Sequence, residues 1–153
     1  MQKITTFLWF DKQAEAAANH YVSIFKNSKI LGVHHANGQV LTVTFELEGQ
    51  KFIALNGGPL YKFTEAISLF VDCDGQEEVD ELWAKLSAGG EPGRCGWLKD
   101  KFGLSWQIIP KALMNLMGDP DPAKSQAVFQ AMLKMNKIVV ADLEAAHKGS
   151  TAA

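Results

Sequence analysis

Gly93-Arg-Cys-Gly-Trp-Leu-Lys-Asp-Lys-Phe-Gly-Leu-Ser-Trp-Gln-Ile-Ile-Pro110 is the stretch on which the fold of this chain turns. Asp100, Lys101, Phe102 and Gly103 supply a tight turn in which Gly103 can take a positive φ, and the flanking runs are rich in Trp and Ile. The stretch reads as a hairpin. Within it Cys95, Trp97, Asp100, Ser105 and Gln107 bring a thiol, an indole, a carboxylate, a hydroxyl and an amide within a few residues of one another. That mixture suits a ligand site better than a plain core.

The same grammar extends upstream. Ala66 to Cys73 reads as a strand and Gln76 to Ser87 as an amphipathic helix leading into the hairpin. In the first half, Ile4 to Phe10 has strand composition, and Gln13 to Phe25 switches to helical spacing, with Ala14, Ala17, Ala18, Tyr21, Val22 and Phe25 along one side. Three strand-like runs follow, Lys29 to His35, Gln39 to Glu46 and Lys51 to Leu55, separated by Asn37-Gly38 and Glu48-Gly49 turn signals. An offset of about 62 positions lays the first half on the second, Glu15 on Glu77, Ala17 on Val79 and Tyr21 on Trp83. The expectation is an α+β chain of two tandem βαβββ modules, about 1–60 and 64–110, in a single domain spanning 1–153. Beyond Pro110 the pattern becomes helical over 111–147, with Asp121 as N-cap, Pro122 at the first helical position and a last short helix from Ile138 to His147. The closing Gly-Ser-Thr-Ala-Ala is expected to fray.

Composition sets the function classes aside or keeps them. With 153 residues and 47% hydrophobic content the chain can bury a core without staples. A net charge of −2 gives no long-range attraction for nucleic acid or an anionic membrane, and no apolar run reaches spanning length. Cys73 and Cys95 are too few for a disulfide framework and have no zinc spacing, so a cytoplasmic location is expected. His34 and His35 are strand neighbours that face opposite sides and cannot easily share an ion. Trp9, Trp97 and Trp106 are the aromatics expected nearest a ligand, while Trp83 is expected in the core. Glycine pairs at Gly57-Gly58 and Gly89-Gly90 do not form the dinucleotide-type loop of a doubly wound sheet.

Phe7-Leu-Trp-Phe-Asp11, the Ala-rich helix ending in His20-Tyr21, Ala54-Leu-Asn-Gly-Gly-Pro59, Ile67 to Cys73 and the Cys95 to Gln107 stretch together resemble the PhnB-like family. That family belongs to the vicinal oxygen chelate superfamily, with glyoxalase I and the bleomycin-resistance proteins. The likeness is expected to cover nearly the whole chain, including the Asp119-Pro-Asp-Pro122 step. It implies paired βαβββ modules whose curved sheets enclose a cup, usually in a homodimer. It also implies a divalent ion held by His, Glu or Gln at four places, the first and last strand of each module. By rough register those places hold Ile4, Thr5 or Thr6, then Ala54 or Asn56, then Ala66 or Ile67, and finally Gln107. Only Gln107 keeps a usual ligand type, so no superfamily metal and no cofactor are expected. The family label of a demethylubiquinone methyltransferase implies S-adenosylmethionine.

The expected function is therefore binding of a small molecule, with Trp9, Asn56, Cys95, Trp97, Asp100, Ser105 and Gln107 as candidate ligand residues. A metal-dependent lyase or dioxygenase, the labelled methyltransferase, and a purely structural module are the alternatives. Asp100 can also serve simply to cap its turn, and Cys95 to pack as a small apolar residue.

Overall fold

Between Thr6 and Asn56 the chain lays down β1 (Thr6–Phe10), α1 (Ala14–Ile24), β2 (Lys29–Ala36), β3 (Gln39–Leu47) and β4 (Gln50–Asn56). Two tight hairpins join the last three strands. Asn37-Gly38 and Glu48-Gly49 take φ of 54° and 76°, and of 49° and 81°, a pair of left-handed residues whose twist matches that of the strands they connect. The sheet order is β1-β4-β3-β2, with β1 parallel to β4 and the other pairs antiparallel. One face packs on α1 through Ala14, Ala17, Ala18 and Tyr21, with Tyr21 beside Phe45 and Phe45 stacked on Phe52 at 5.4 Å. The small Ala side chains let helix and sheet approach closely. Both ends of the Asn56 amide are used here, accepting from Ala14 N at 2.8 Å and donating to Val40 O at 3.1 Å, which ties the helix start to β4 and β3.

The second half repeats the order with β5 (Leu69–Cys73), α2 (Gln76–Ser87), β6 (Glu91–Pro92), β7 (Trp97–Lys99) and β8 (Ser105–Pro110), in a sheet of order β5-β8-β7-β6. Again the first strand runs parallel to the last. The computed structural model describes residues 1–149, and they divide into two compact units, Met1–Phe63 and the chain from Thr64 onward. The α+β class with paired βαβββ modules is as expected from sequence.

The internal match needs correcting by a residue in each direction. Thr6 and Leu69 open equivalent strands, whereas the buried helix residues Ala18, Tyr21 and Phe25 correspond to Val79, Leu82 and Leu86. Tyr21 therefore matches Leu82, and Trp83 lies beside the buried stripe, half-buried rather than in the core. The first connection is longer by one residue, 11–13 against 74–75, which accounts for one of the two residues between these offsets. An averaged offset cannot see that.

Three further helices follow, α3 (Lys111–Met117), α4 (Pro122–Leu133) and α5 (Val140–Lys148). Asp121 caps α4 by accepting from Ala123 N at 3.0 Å, with Pro122 at the first helical position. Ile109, Leu113, Val128, Met135, Ile138 and Leu143 form one buried cluster, against which Met117 and Met132 pack, while Met114 is exposed. His147 Nε2 meets Asp119 Oδ2 at 2.8 Å and joins α5 to the turn after α3. The Asp119 carboxyl is held below the usual range, first by the Asp121 N–H and then by His147. Of the segment expected to fray, Gly149 ends α5 in the left-handed region, and the residues after it lie outside the described ones. Among the described residues no helix is long and apolar enough to cross a membrane.

Ile108 is fully buried in β8, at the centre of the second sheet. Ile108→Ala is expected to cost about 2–5 kcal/mol through lost burial and the void left behind, read as a lower urea midpoint with an unchanged slope.

Candidate functional site

Strand pairing assigns the two faces of the second sheet. Phe70, Gln107 and Trp97 are directly opposite one another across β5, β8 and β7, and Lys99 is opposite Ser105, so these side chains share one face. The other face carries Val71, Cys73, Leu98, Trp106 and Ile108, and it is the side with the deeper burial, where α2 supplies Val79, Leu82 and Leu86. Trp106 is thus a core residue and leaves the set of ligand-facing aromatics.

On the first face the polar groups are arranged by the chain itself. Gln107 Nε2 donates to Ser68 Oγ at 3.0 Å, which leaves its carbonyl oxygen and the Ser68 hydrogen available. Lys99 Nζ pairs with Glu65 at 3.0 Å, a bond that also holds the Glu65 carboxyl below its usual range. Trp97 and Gln107 are half-buried and Phe70 is 51% exposed. An indole, an amide, a hydroxyl and a benzyl ring line one open strip of sheet.

Asp100 does different work. Its Oδ1 accepts from Phe102 N at 2.8 Å and Leu104 N at 3.1 Å, and its Oδ2 accepts from the Trp106 indole at 2.9 Å. With 2% exposure it is part of the hairpin's frame and offers no open ligand contact, which corrects its place among the candidates. Asn56 is likewise occupied by Ala14 and Val40. Trp9 donates to Gly58 O at 2.9 Å, lies edge-on to Tyr61 at 4.9 Å, and fills the space that a Cβ on Gly57 would need. Its indole fastens the loop after β4. Ser105 shares the open face by register but is fully buried, and its hydroxyl has no hydrogen-bond partner. Cys95 is half-buried in the turn before β7. Of the seven candidates, the structure brings Trp97 and Gln107 together on an open face and adds Ser68 and Phe70. Ser68 and Phe70 are two residues apart and so share a face, but only the pairing of β5 with β8 puts that face in phase with Gln107.

Register also moves the expected metal places. Phe7 pairs with Ile53 as Phe70 pairs with Gln107, so the β4 position equivalent to Gln107 is Ile53. Ala54 is fully buried on the helix side and Asn56 bonds α1. Ile4 and Thr5 precede β1, Thr6 is opposite the buried Phe52, and Ala66 and Ile67 precede β5. Among the described residues no three His, Cys, Asp or Glu side chains converge on a point that could hold a metal ion.

Two mixed four-stranded sheets, each a βαβββ unit with its first and last strands parallel, define a protein of the vicinal oxygen chelate type. The model of the family described as 3-demethylubiquinone-9 3-methyltransferase matches residues 2–109, and the chain belongs to that PhnB-like family. A PhnB protein from Bacillus cereus, named for the same methyltransferase, is 37% identical over 71% of this chain and 99% of its own, with a TM-score of 0.66. A protein of Pseudomonas aeruginosa (15% identity, 72% of this chain, 98% of its own, TM-score 0.60) and a gene product of Arabidopsis thaliana (18%, 69%, 96%, 0.50) share the fold. No curated protein matches. The matched family range stops at Ile109, so α3, α4 and α5 lie outside it. The Asp119 to Pro122 step lies beyond that range.

Two measurements check this site. Asp100→Ala strands three donors and is expected to cost at least about 3 kcal/mol, whereas Ser105→Ala removes an unpartnered hydroxyl and is expected to leave the urea midpoint equal or higher. Cys73 is fully buried and its thiol is pushed up to about 12, by burial first and then by the Glu78 and Asp72 charges. A maleimide at pH 8 is therefore expected to label one thiol in the folded chain and two in urea, and Cys95→Ser to abolish the folded-state label.

Proposed function

We propose that this chain binds a small organic molecule on the open face of its second sheet and does so without the divalent ion of its superfamily. The observation that carries this reading is the composition of that face around Gln107. A divalent ion needs three or more oxygen or nitrogen donors in close array, with charge among them when the ligands are oxygens. Gln107 has beside it a hydroxyl from Ser68 and the rings of Phe70 and Trp97, and its counterpart in the first sheet is Ile53. Such a donor set does not fit a divalent ion. It fits a ligand with a flat apolar part, which gains from aromatic contact, and a polar edge that exchanges hydrogen bonds with the Gln107 carbonyl and the Ser68 hydroxyl.

This reading sets that face in a homodimer and in a reducing cytoplasm. In support of the dimer, each sheet ends in unpaired edge strands, and Phe7, Leu31 and Phe70 are exposed on them. Both cysteines are free, in accord with the compartment. The family description favours one second reading, methyl transfer from S-adenosylmethionine.

Native mass spectrometry of freshly purified protein tests ligand and oligomer together. The expected spectrum is a dimer carrying a substoichiometric organic mass that is lost in Trp97→Ala, with a melting temperature close to that of the parent; truncating a central aromatic contact commonly costs about 2 kcal/mol of affinity. Equal loss of melting temperature and adduct would make Trp97 a core residue. Saturable binding of added S-adenosylmethionine would turn the assignment to the methyltransferase, and a monomer would remove the dimer.

A further inference from the structure

The helices beyond the matched family range are attached to the second unit at one particular turn. Cys95 N donates to Met135 O and Gly96 N to Asn136 O, each at 2.8 Å, and the Arg94 guanidinium donates to Leu133 O at 3.1 Å. Three successive residues thus hand their donors to the end of α4 and the link that follows it. That turn is strained. Cys95 takes φ +58° and Gly96 φ +85°, and a left-handed conformation at a non-glycine residue persists only where its surroundings hold it. A Cβ at Gly96 would fall 2.7 Å from Ile109 Cδ1 and 3.1 Å from Ile138 Cγ1, so the extension is pressed directly against the backbone.

Trp97 comes directly after this turn. Its N–H returns to Arg94 O at 3.0 Å and its carbonyl accepts from Gly93 N at 2.8 Å, so the indole's starting direction is set within the same few residues. The extension also meets the end of the open strip. Ile109 is two residues from Gln107 on the same side of β8, and it belongs to the buried cluster of Leu113, Val128, Met135, Ile138 and Leu143. A second attachment runs through α2, where Gln76 donates to Ile138 O at 2.9 Å and accepts from Val140 N at 2.7 Å, next to the Lys137–Asp80 ion pair at 2.7 Å.

We infer that the C-terminal extension is a positioning element for the binding face: by clamping the Cys95-Gly96 turn it sets the orientation of Trp97 beside Gln107 and so helps decide which ligands that face accepts. The consequence for ligand choice rests on the function proposed above, but the positioning itself does not. The geometry assigns Ile138 and Gln76 as the positioning residues, acting through the turn.

The indole N–H resonances of the full chain, assigned with Trp97→Phe and Trp9→Phe, report the effect without any ligand. Ile138→Ala, beside the turn, and Gln76→Ala, at the second attachment, are expected to displace the Trp97 resonance while leaving that of Trp9 in place. Val128→Ala, in the same cluster but on α4, is expected to lower the melting temperature with the Trp97 resonance unmoved. A Trp97 resonance that stays put in Gln76→Ala and Ile138→Ala, or that moves as far in Val128→Ala, would overturn the inference. Should Ile138→Ala fail to fold, Gln76→Ala decides alone, because it removes a half-buried amide and no core volume.

Discussion

Each sheet depends on its first strand lying parallel to its last. An antiparallel ladder can be closed by a two-residue turn, but a parallel pair needs a crossover of a dozen residues or more. In both units the crossover is filled in the same way, by one helix and two strands, and the last strand returns beside the first to complete the sheet. The helix has only one side of the sheet on which to lie. The result is a sheet with one face packed to zero exposure at Val43, Phe45 and Ala54, or at Cys73 and Ile108, and another face left open. The candidate site is the product of that asymmetry.

Once one face is committed to the helix, the period of two along a strand sorts every side chain. Leu98, Trp106 and Ile108 go inward, and Trp97, Gln107 and Lys99 go to the open side, with no further choice available to the chain. Polar groups caught on the wrong side of this division must find partners internally. Asp100 does so by collecting two backbone N–H groups and the Trp106 indole, and Asn56 does so by bonding Ala14 and Val40. Residues with the most chemical appearance are therefore the ones that hold the frame. The open face is left with neutral groups and one surface ion pair.

Fold and site were legible to different depths. Strand alternation, the two Xaa-Gly hairpins and the return of helix periodicity at Gln76 disclosed two βαβββ units, because those patterns are local and are fixed by backbone geometry. Trp97 and Gln107 were visible for the same reason. What stayed hidden was whatever depends on pairing between distant strands. Ser68 joins Gln107 across 39 residues, and Ile53 takes the place opposite Phe7 only because β1 and β4 align in one register out of several. A rough register put Ala54 or Asn56 there, one or three residues out, and an odd-numbered slip exchanges the faces of a strand. The extra residue before α1 accounts for part of the helix mismatch.

The unequal strands of the two units explain why the chain needs something after Pro110. In the first sheet β2 and β3 have 8 and 9 residues, ample for a ladder that holds its own side chains in place. In the second, β6 and β7 have 2 and 3, so Trp97 sits at the very start of a strand too short to fix it. Isolated pairings of that length are marginal, and a short strand buries little apolar surface of its own. The extension makes good both shortfalls at the same spot. Its link supplies carbonyl acceptors for Cys95 and Gly96 where a longer ladder would have supplied them, and its cluster covers Ile109 at the end of β8. Removing rungs from the sheet and adding helices against its end are two halves of one structural exchange, and the Trp97 indole stands where they meet.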